Sequence, residues 1–242
     1  MNRALYAAAS GMAAQQTNLD VIANNLANAD VAGFKGAATS FTDVGTAGAS
    51  GLGTTSVGSH TLFGQGKLMK SGGPFDLAID GAGFFEMRDA QGRRAYTRDG
   101  EFSRAGDGAL RNAQGWCLTG VRIPQEAASV SVTDRGTITM QTAKGGRTIG
   151  RIRVATFPAP EKLQSLGGTL FIANARSGGP TLVVPGGPGK PKIVFGMLEQ
   201  SNVSIVESMM EILAAQRAYE ANAKGIQAAD EMMRIANNLH RG

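Results

Sequence analysis

Thirty-one of the 34 glycines lie between residues 31 and 200, and only Gly11, Gly225 and Gly242 fall outside that stretch. Glycine weakens a helix interior by about 1 kcal/mol against alanine and is the residue of tight turns. The chain is therefore built in three parts, two ends able to form long helices and a middle of strands and turns. In the first part Leu5, Met12, Leu19 and Leu26 recur every seven residues, with Ala8, Gln15 and Ile22 three further on. This is the spacing of a helix packed on helices. It predicts one helix of about 25 residues ending near Asn28, where Asp30 to Gly33 supplies turn residues. Its other faces carry alanines and amides (Asn2, Gln16, Asn18, Asn24, Asn25, Asn28) where a solvated helix would carry Lys and Glu.

The last part repeats the design. Ile205, Ile212, Tyr219, Ile226 and Met233 are spaced by seven, followed three places on by a lane of Ala215, Asn222, Ala229 and Ala236. Ser204 with Glu207 three residues later is a capping-box pattern, so the helix is expected to begin just after Ser201-Asn202. Gly225 in its interior calls for a closely packed neighbour.

In the middle, Phe84 to Met87, Arg93 to Thr97 and Glu101-Phe102 are separated by Asp89-Ala90-Gln91-Gly92 and Asp99-Gly100, which reads as strand, turn, strand. Asn112-Ala113-Gln114-Gly115 echoes the first of these turns. Asp134-Arg135-Gly136 divides two alternating runs, 129–133 and 137–142, and Arg151 to Thr156 places arginines on one face and apolar residues on the other. Residues 45–58 and 178–191 are expected to be a mobile linker and a long loop. The fold class follows as α+β: long N- and C-terminal helices packed as a coiled-coil-like pair, with an inserted antiparallel β-rich domain. Residues 1–35 and 200–242 would form a helical polymerisation domain, 36–72 an extended connector, and 73–199 a β-rich outer domain.

Charge and chemistry exclude more than they suggest. The chain has 24 Lys and Arg against 19 Asp and Glu, and each end carries a net charge of −1. The basic excess is scattered through the glycine-rich middle, which argues against nucleic-acid binding. One cysteine, Cys117, and two distant histidines, His60 and His240, leave no material for a zinc site or a Cys/His nucleophile pair. Gly186 to Lys190 imitates a phosphate loop, but Val184 stands at its first glycine and Pro191 where a hydroxyl should hold magnesium. Gly81-Ala82-Gly83 opens a strand and lacks the third glycine of a dinucleotide fingerprint. Asp76, Asp80, Glu86, Asp89, Asp99 and Glu101 could include the carboxylate pair that acid/base work on a glycan, as in a peptidoglycan hydrolase, would need, but most lie where Asp serves turns and the structural reading is favoured. No catalytic, cofactor-binding or metal residue is assigned, and an enzyme is not expected. No apolar run reaches the roughly 20 residues of a membrane span. Arg3 followed by small residues imitates a secretory signal, but the seven-residue register runs through it, so an uncleaved terminus is expected.

Ala23-Asn24-Asn25-Leu26-Ala27-Asn28 followed by Gly33-Phe34-Lys35 resembles the N-terminal signature of bacterial flagellar rod and hook proteins. Ser201-Asn202-Val203 with Gln216-Arg217-Ala218-Tyr219-Glu220 is similar to their C-terminal signature. Gly81 to Phe85 and Tyr96 to Phe102 resemble their middle domain. The resemblance implies a subunit of the basal-body rod, exported by the flagellar type III apparatus without a cleavable signal and polymerising helically across the periplasm as a drive shaft. Its partners would be copies of itself and adjacent proximal and distal rod subunits, with the periplasmic ring bushing as a further neighbour. The length suits two rod classes, the FlgF-type proximal and the FlgG-type distal. The short Gly/Ala/Ser stretch after Phe41-Thr42-Asp43 favours the FlgF-type. The expected assembly interface is Leu5, Met12, Leu19, Ile22, Asn24, Asn25, Leu26 and Asn28 with Ile205, Ile212, Tyr219, Ile226 and Met233, the two aliphatic stripes packing on each other and on neighbouring copies. The three asparagines would bond between subunits. A secreted glycan-binding module with a helical stalk is the reading from another class.

Overall fold

A computed structural model of the chain describes residues 3–45, 53–127, 129–142 and 145–239. They form an α+β architecture of two long helices and many antiparallel strands, in two compact units. The first unit takes its residues from 1–27, 36–62 and 203–242, the second from 28–35 and 63–202.

The first unit comprises α1 (Arg3–Ala27), the hairpin β1 (Ala37–Asp43) with β2 (Thr54–Thr61), and α2 (Ile205–Leu239). Helix α1 ends where the sequence places its turn residues. Helix α2 starts at the Ser204 cap, whose hydroxyl accepts the Glu207 N–H at 3.4 Å. The helices pack on each other, and most residues buried along them are small: Gly11 and Ala14 on α1, and Ser208, Ala215 and Ala229 on α2, with Ile22 and Asn25 buried towards the end of α1. At Gly11 a Cβ would lie 2.9 Å from Asn222 Nδ2, so a larger residue there would have to displace the Asn222 side chain of the facing helix. The aliphatic stripes do not form this seam. Leu5, Met12, Leu19, Leu26, Ile212 and Ile226 are half-buried, and Ile205, Tyr219 and Met233 are exposed. Large side chains would hold the axes apart, whereas the small lane permits near approach and turns the larger residues outward.

The hairpin overturns the reading of 36–72 as an extended connector. Within the run 45–58, residues 46–52 lie outside the described residues, but Thr54 onward belongs to β2, paired antiparallel with β1 from Ala37↔Thr61 to Asp43↔Thr54. Its Thr/Ser-rich composition, read as a linker, also fits a two-stranded ribbon of β-favouring threonines. The hairpin is tied to α1 at both ends. Asn25 clamps Ala37, donating from Nδ2 to its carbonyl at 2.7 Å and accepting its N–H at 2.9 Å. Ser10 Oγ accepts the Thr54 N–H at 3.1 Å.

The second unit holds β3 (Leu68–Lys70), β4 (Leu77–Asp80), β5 (Phe84–Arg88), β6 (Arg94–Thr97), β7 (Ser103–Arg104), β8 (Ala109–Arg111) and β9 (Cys117–Arg122). It continues with β10 (Ser129–Val132), β11 (Thr137–Thr142), β12 (Gly145–Arg151), β13 (Val154–Thr156), β14 (Gln164–Gly167), β15 (Leu170–Ile172), β16 (Thr181–Val183), β17 (Lys192–Phe195) and β18 (Met197–Glu199). The main sheet runs β14-β15-β6-β5-β9-β8-β7, with β13 also on β5 and β16 on β13. Strands β10-β11-β12 make a second sheet, and β17 with β4 and β18 with β3 make two ribbons. Strand β5 is apolar on both faces because both are covered. Phe85 and Met87 join Leu77, Ile79, Phe102, Ile138 and Ile152 in the main core. Phe84, on the opposite face, packs with Tyr96, Leu163 and Phe171.

The run 151–156, read as one strand, is two. Strand β12 ends at Arg151, with the Ile152 N–H still bonded to Gly136 O at 2.8 Å, and β13 begins at Val154 on another sheet. Likewise 178–191 contains β16, and Glu101-Phe102 precedes β7 as a loop that buries Phe102.

Two substitutions test the seam. Ala215→Leu overpacks it and is expected to cost about 1–3 kcal/mol. No atom lies within 4 Å of a Cβ at Gly225, contrary to the expected close neighbour, so Gly225→Ala should stabilise α2 by about 1 kcal/mol. Denaturant unfolding followed by helical circular dichroism reads both.

Candidate assembly surface

Helix α2 presents an apolar stripe that none of the described residues of its own unit covers. Val206, Met209, Met210 and Leu213 follow the i, i+3, i+4, i+7 pattern of one helical face, and Val206 and Met210 are 68% and 60% exposed. Met232 and Ile235 continue the exposure near the far end. Each such side chain gains roughly 1.5–3 kcal/mol on full burial. This stripe is one position removed from the predicted one. Its signal was present in the sequence as apolar spacing, but only packing against α1 decides which lane turns inward.

The predicted interface residues separate accordingly. Ile22 and Asn25 are buried within the unit, and Asn25 spends its amide on Ala37 of its own chain, which corrects its reading as a contact between subunits. Asn24 is exposed, and Asn28, half-buried in the second unit, accepts the Val31 N–H on its backbone oxygen at 3.1 Å.

In the second unit the N-terminal and middle sequence signatures meet at one buried carboxylate. Glu199, fully buried at the end of β18, accepts the Lys35 ammonium at 2.6 Å on Oε1 and the Arg98 guanidinium at 3.1 Å on Oε2. Its Oε1 also accepts the Gly66 N–H at 2.8 Å, and its backbone oxygen the Gly33 N–H at 2.7 Å. Gly33 adopts φ +67°, and a Cβ there would sit 2.3 Å from Asp99 N, so the residue that begins the Gly33-Phe34-Lys35 signature must be glycine. Lys35 donates further to Gly64 O at 2.7 Å. Arg98 donates to Ile79 O and Gly81 O at 3.2 and 2.7 Å, and its guanidinium lies 5.6 Å from the centre of the Phe84 ring. Burial pulls both cations below their ordinary pKa values, while Glu199 opposes the shift. An ion cluster out of water persists only when each charge is paired and hydrogen-bonded. Here backbone carbonyls complete the pairing. Lys35 and Arg98 stood inside the motifs, but Glu199 stood in none of them, and the partnership of Lys35 with Glu199 across more than 160 positions had no sequence signal.

Three of the acidic residues weighed for catalysis are held in local hydrogen bonds. Asp76 bonds the Ser71 hydroxyl and the Gly73 N–H, and Asp89 accepts the Gln91 and Arg93 N–H groups in its turn. Asp99 accepts the Glu101 N–H at 3.0 Å, and burial, with Glu101 and Asp76 nearby, pushes its carboxyl up to about 6.

Three family models match the chain: "Flagella basal body rod protein" over residues 5–35, "Flagellar hook protein FlgE/F/G D1 domain" over 78–140, and "Flagellar basal body rod FlgEFG protein C-terminal" over 195–239. The flagellar basal-body rod protein FlgG of Borreliella burgdorferi is 38% identical, with all of both chains covered. FlgG of Caulobacter vibrioides is 34% identical over 98% of this chain and 99% of its own. FlgF of the same organism is 32% identical over 98% and 97%.

Glu199→Ala leaves two buried cations unpaired and is expected to destabilise the second unit by about 3–5 kcal/mol, measured by chemical unfolding. Asp99 sets a pH dependence. Its carboxyl titrates near 3.8 unfolded and about 6 folded, so the folded state holds the proton more tightly. Its contribution is full below the unfolded value and is lost as pH rises through about 6, a change on the order of 3 kcal/mol. Asp99→Asn should flatten that slope in unfolding curves collected across the window.

Proposed function

Because the chain belongs to the flagellar basal-body rod proteins of the FlgF/FlgG type, and is thereby a structural subunit of the flagellar rod, we propose that it is the FlgG-type subunit of the distal rod and polymerises helically through α1 and α2. The observation that carries the polymerisation is the uncovered stripe Val206, Met209, Met210 and Leu213. An apolar face of this kind on a soluble chain invites a partner, and a heterologous contact that does not close generates a filament. Within each subunit the small-residue seam of α1 and α2 acts as a coiled-coil-like pair. Between subunits the half-buried Leu5, Met12, Leu19, Leu26, Ile212 and Ile226, with the exposed Ile205, Tyr219 and Met233, complete their burial against neighbouring copies. Asn24 and Asn28 lie on the same stretch of chain and add polar register to that contact, which apolar packing alone would let slide.

The distal assignment is supported by FlgG-named relatives of up to 38% identity over the full chain. The proximal, FlgF-type reading has one specific observation of its own, the brevity of the stretch after Asp43, together with the FlgF relative at 32%. The subunit is exported through the flagellar type III apparatus without cleavage. In support, Ser10 holds the Thr54 N–H, and cutting nearby would remove the first turns of α1 from the hairpin it anchors. In the basal body the rod lies in the periplasm, where the other rod subunits and the ring bushing are its neighbours.

An in-frame deletion tests the assignment by electron microscopy of isolated basal bodies. Rods that stop short of their distal segment support the FlgG-type role, loss at the proximal segment supports the FlgF-type, and intact motile flagella refute both. Leu213→Asp tests the stripe. The side chain is 55% exposed, so stability should change by no more than about 0.5 kcal/mol while rod assembly and swimming are lost.

A further inference from the structure

Strand β5 changes partner at one residue. On one edge it stays with β6 throughout, while on the other Met87 and Arg88 pair with Leu118 and Cys117 of β9, and Phe84 and Phe85 pair with Ala155 and Val154 of β13. Glu86 lies between the two pairings, and β9 and β13 diverge from there. The fork opens a cleft of about 680 Å³, within the size range of ligand sites. Gly120 and Gly150 leave part of its lining free of side chains.

Four guanidinium groups line this cleft, from Arg88, Arg94, Arg151 and Arg153, against the single carboxylate of Glu86. Glu86 is buried, and its ion pairs with Arg88 and Arg94 are long, at 3.6 and 3.7 Å. Arg151 and Arg153 form no ion pair among the described residues. Thr119, also in the lining, has a buried hydroxyl without a hydrogen-bond partner. The cleft thus carries a surplus of three positive charges and an unused hydroxyl.

We infer that the cleft is a docking site for an extended acidic segment of a partner protein. The cations are all arginines, whose planar forks match carboxylates two bonds at a time. No aromatic ring lines the cleft, so sugars and bases lack the stacking platform they ordinarily use. Leu182 and Val184, each 40% exposed, share the lining with the arginines. An extended peptide presents alternate residues to opposite sides, so a segment alternating Glu or Asp with an aliphatic residue meets both features. Among the described residues strand β16, which carries Leu182, pairs only with β13, which leaves its other backbone edge unpaired for main-chain hydrogen bonds.

The test is fluorescence anisotropy of a labelled octapeptide alternating Glu and Val, titrated with the full chain. Saturable binding is expected, weakening with salt, reduced at least tenfold by Arg151→Glu with Arg153→Glu, and unchanged by Arg122→Glu on β9 outside the cleft. Thermal unfolding establishes that the double variant is folded. If it is not, Arg151→Gln with Arg153→Gln gives the same comparison. The inference is overturned by absence of binding, by equal binding of a Gln/Val octapeptide, or by an equal loss with Arg122→Glu, which would mean a diffuse basic surface. Displacement of the peptide by soluble muropeptides at lower concentration than by unlabelled peptide would also overturn it, in favour of a glycan ligand.

Discussion

One buried carboxylate holds together the segments by which the second unit is entered and left. The chain passes between its two units after residues 27, 35, 62 and 202. Around Glu199 are gathered Gly33 and Lys35, Gly64 and Gly66, and β18 itself, with Asn202 Nδ2 donating to Gly64 O at 3.2 Å. Arg98 adds the central sheet through its carbonyl contacts at Ile79 and Gly81. Such a cluster is poor value as stability, since a well-packed apolar core would do as well. Its worth is geometric, because charge-assisted bonds with fixed directions hold four backbone segments in one arrangement where apolar contacts would allow sliding.

The helical unit applies a different rule. Its seam is made from Gly11, Ala14, Ser208, Ala215 and Ala229, which contribute little apolar area of their own but allow close approach. The larger residues, Val206, Met210 and Leu213 among them, are left outside. A monomer optimised for itself would reverse that choice. On the proposed assembly this arrangement puts burial energy into contacts between copies, and methionines at such a surface tolerate imperfect geometry. The scarcity of Lys and Glu on α1 fits the same proposal, in which an unpaired charge there would be trapped between subunits.

The β-rich unit shows how a local ladder defect creates chemistry. Arg151 and Arg153 read in sequence as the solvated face of one strand. The end of β12 at Arg151, the start of β13 on another sheet and the change of partner along β5 place both arginines instead at a cleft shared with Arg88, Arg94 and Glu86. Nothing in a period-two pattern distinguishes a solvated arginine from one lining a cavity.

The sequence by itself determined the elements whose signals are local. The seven-residue repeats and the Ser204 cap set the two helices, Asp89 to Gly92 and its analogues set the hairpin turns, and the glycine distribution divided the chain. It also carried the family signatures, because these are contiguous runs. What only tertiary structure decided is whatever depends on separated residues meeting. The pairing of Thr54–Thr61 with Ala37–Asp43 turned a supposed linker into a hairpin. The clamp of Asn25 on Ala37 withdrew that asparagine from the surface. The inward lane of each helix was settled by how closely two backbones can approach, and the Lys35–Glu199–Arg98 cluster by a contact spanning most of the chain. Periodicity reports that a face is apolar, but which face is used within the subunit and which is left for a neighbour depends on side-chain volume at the contact.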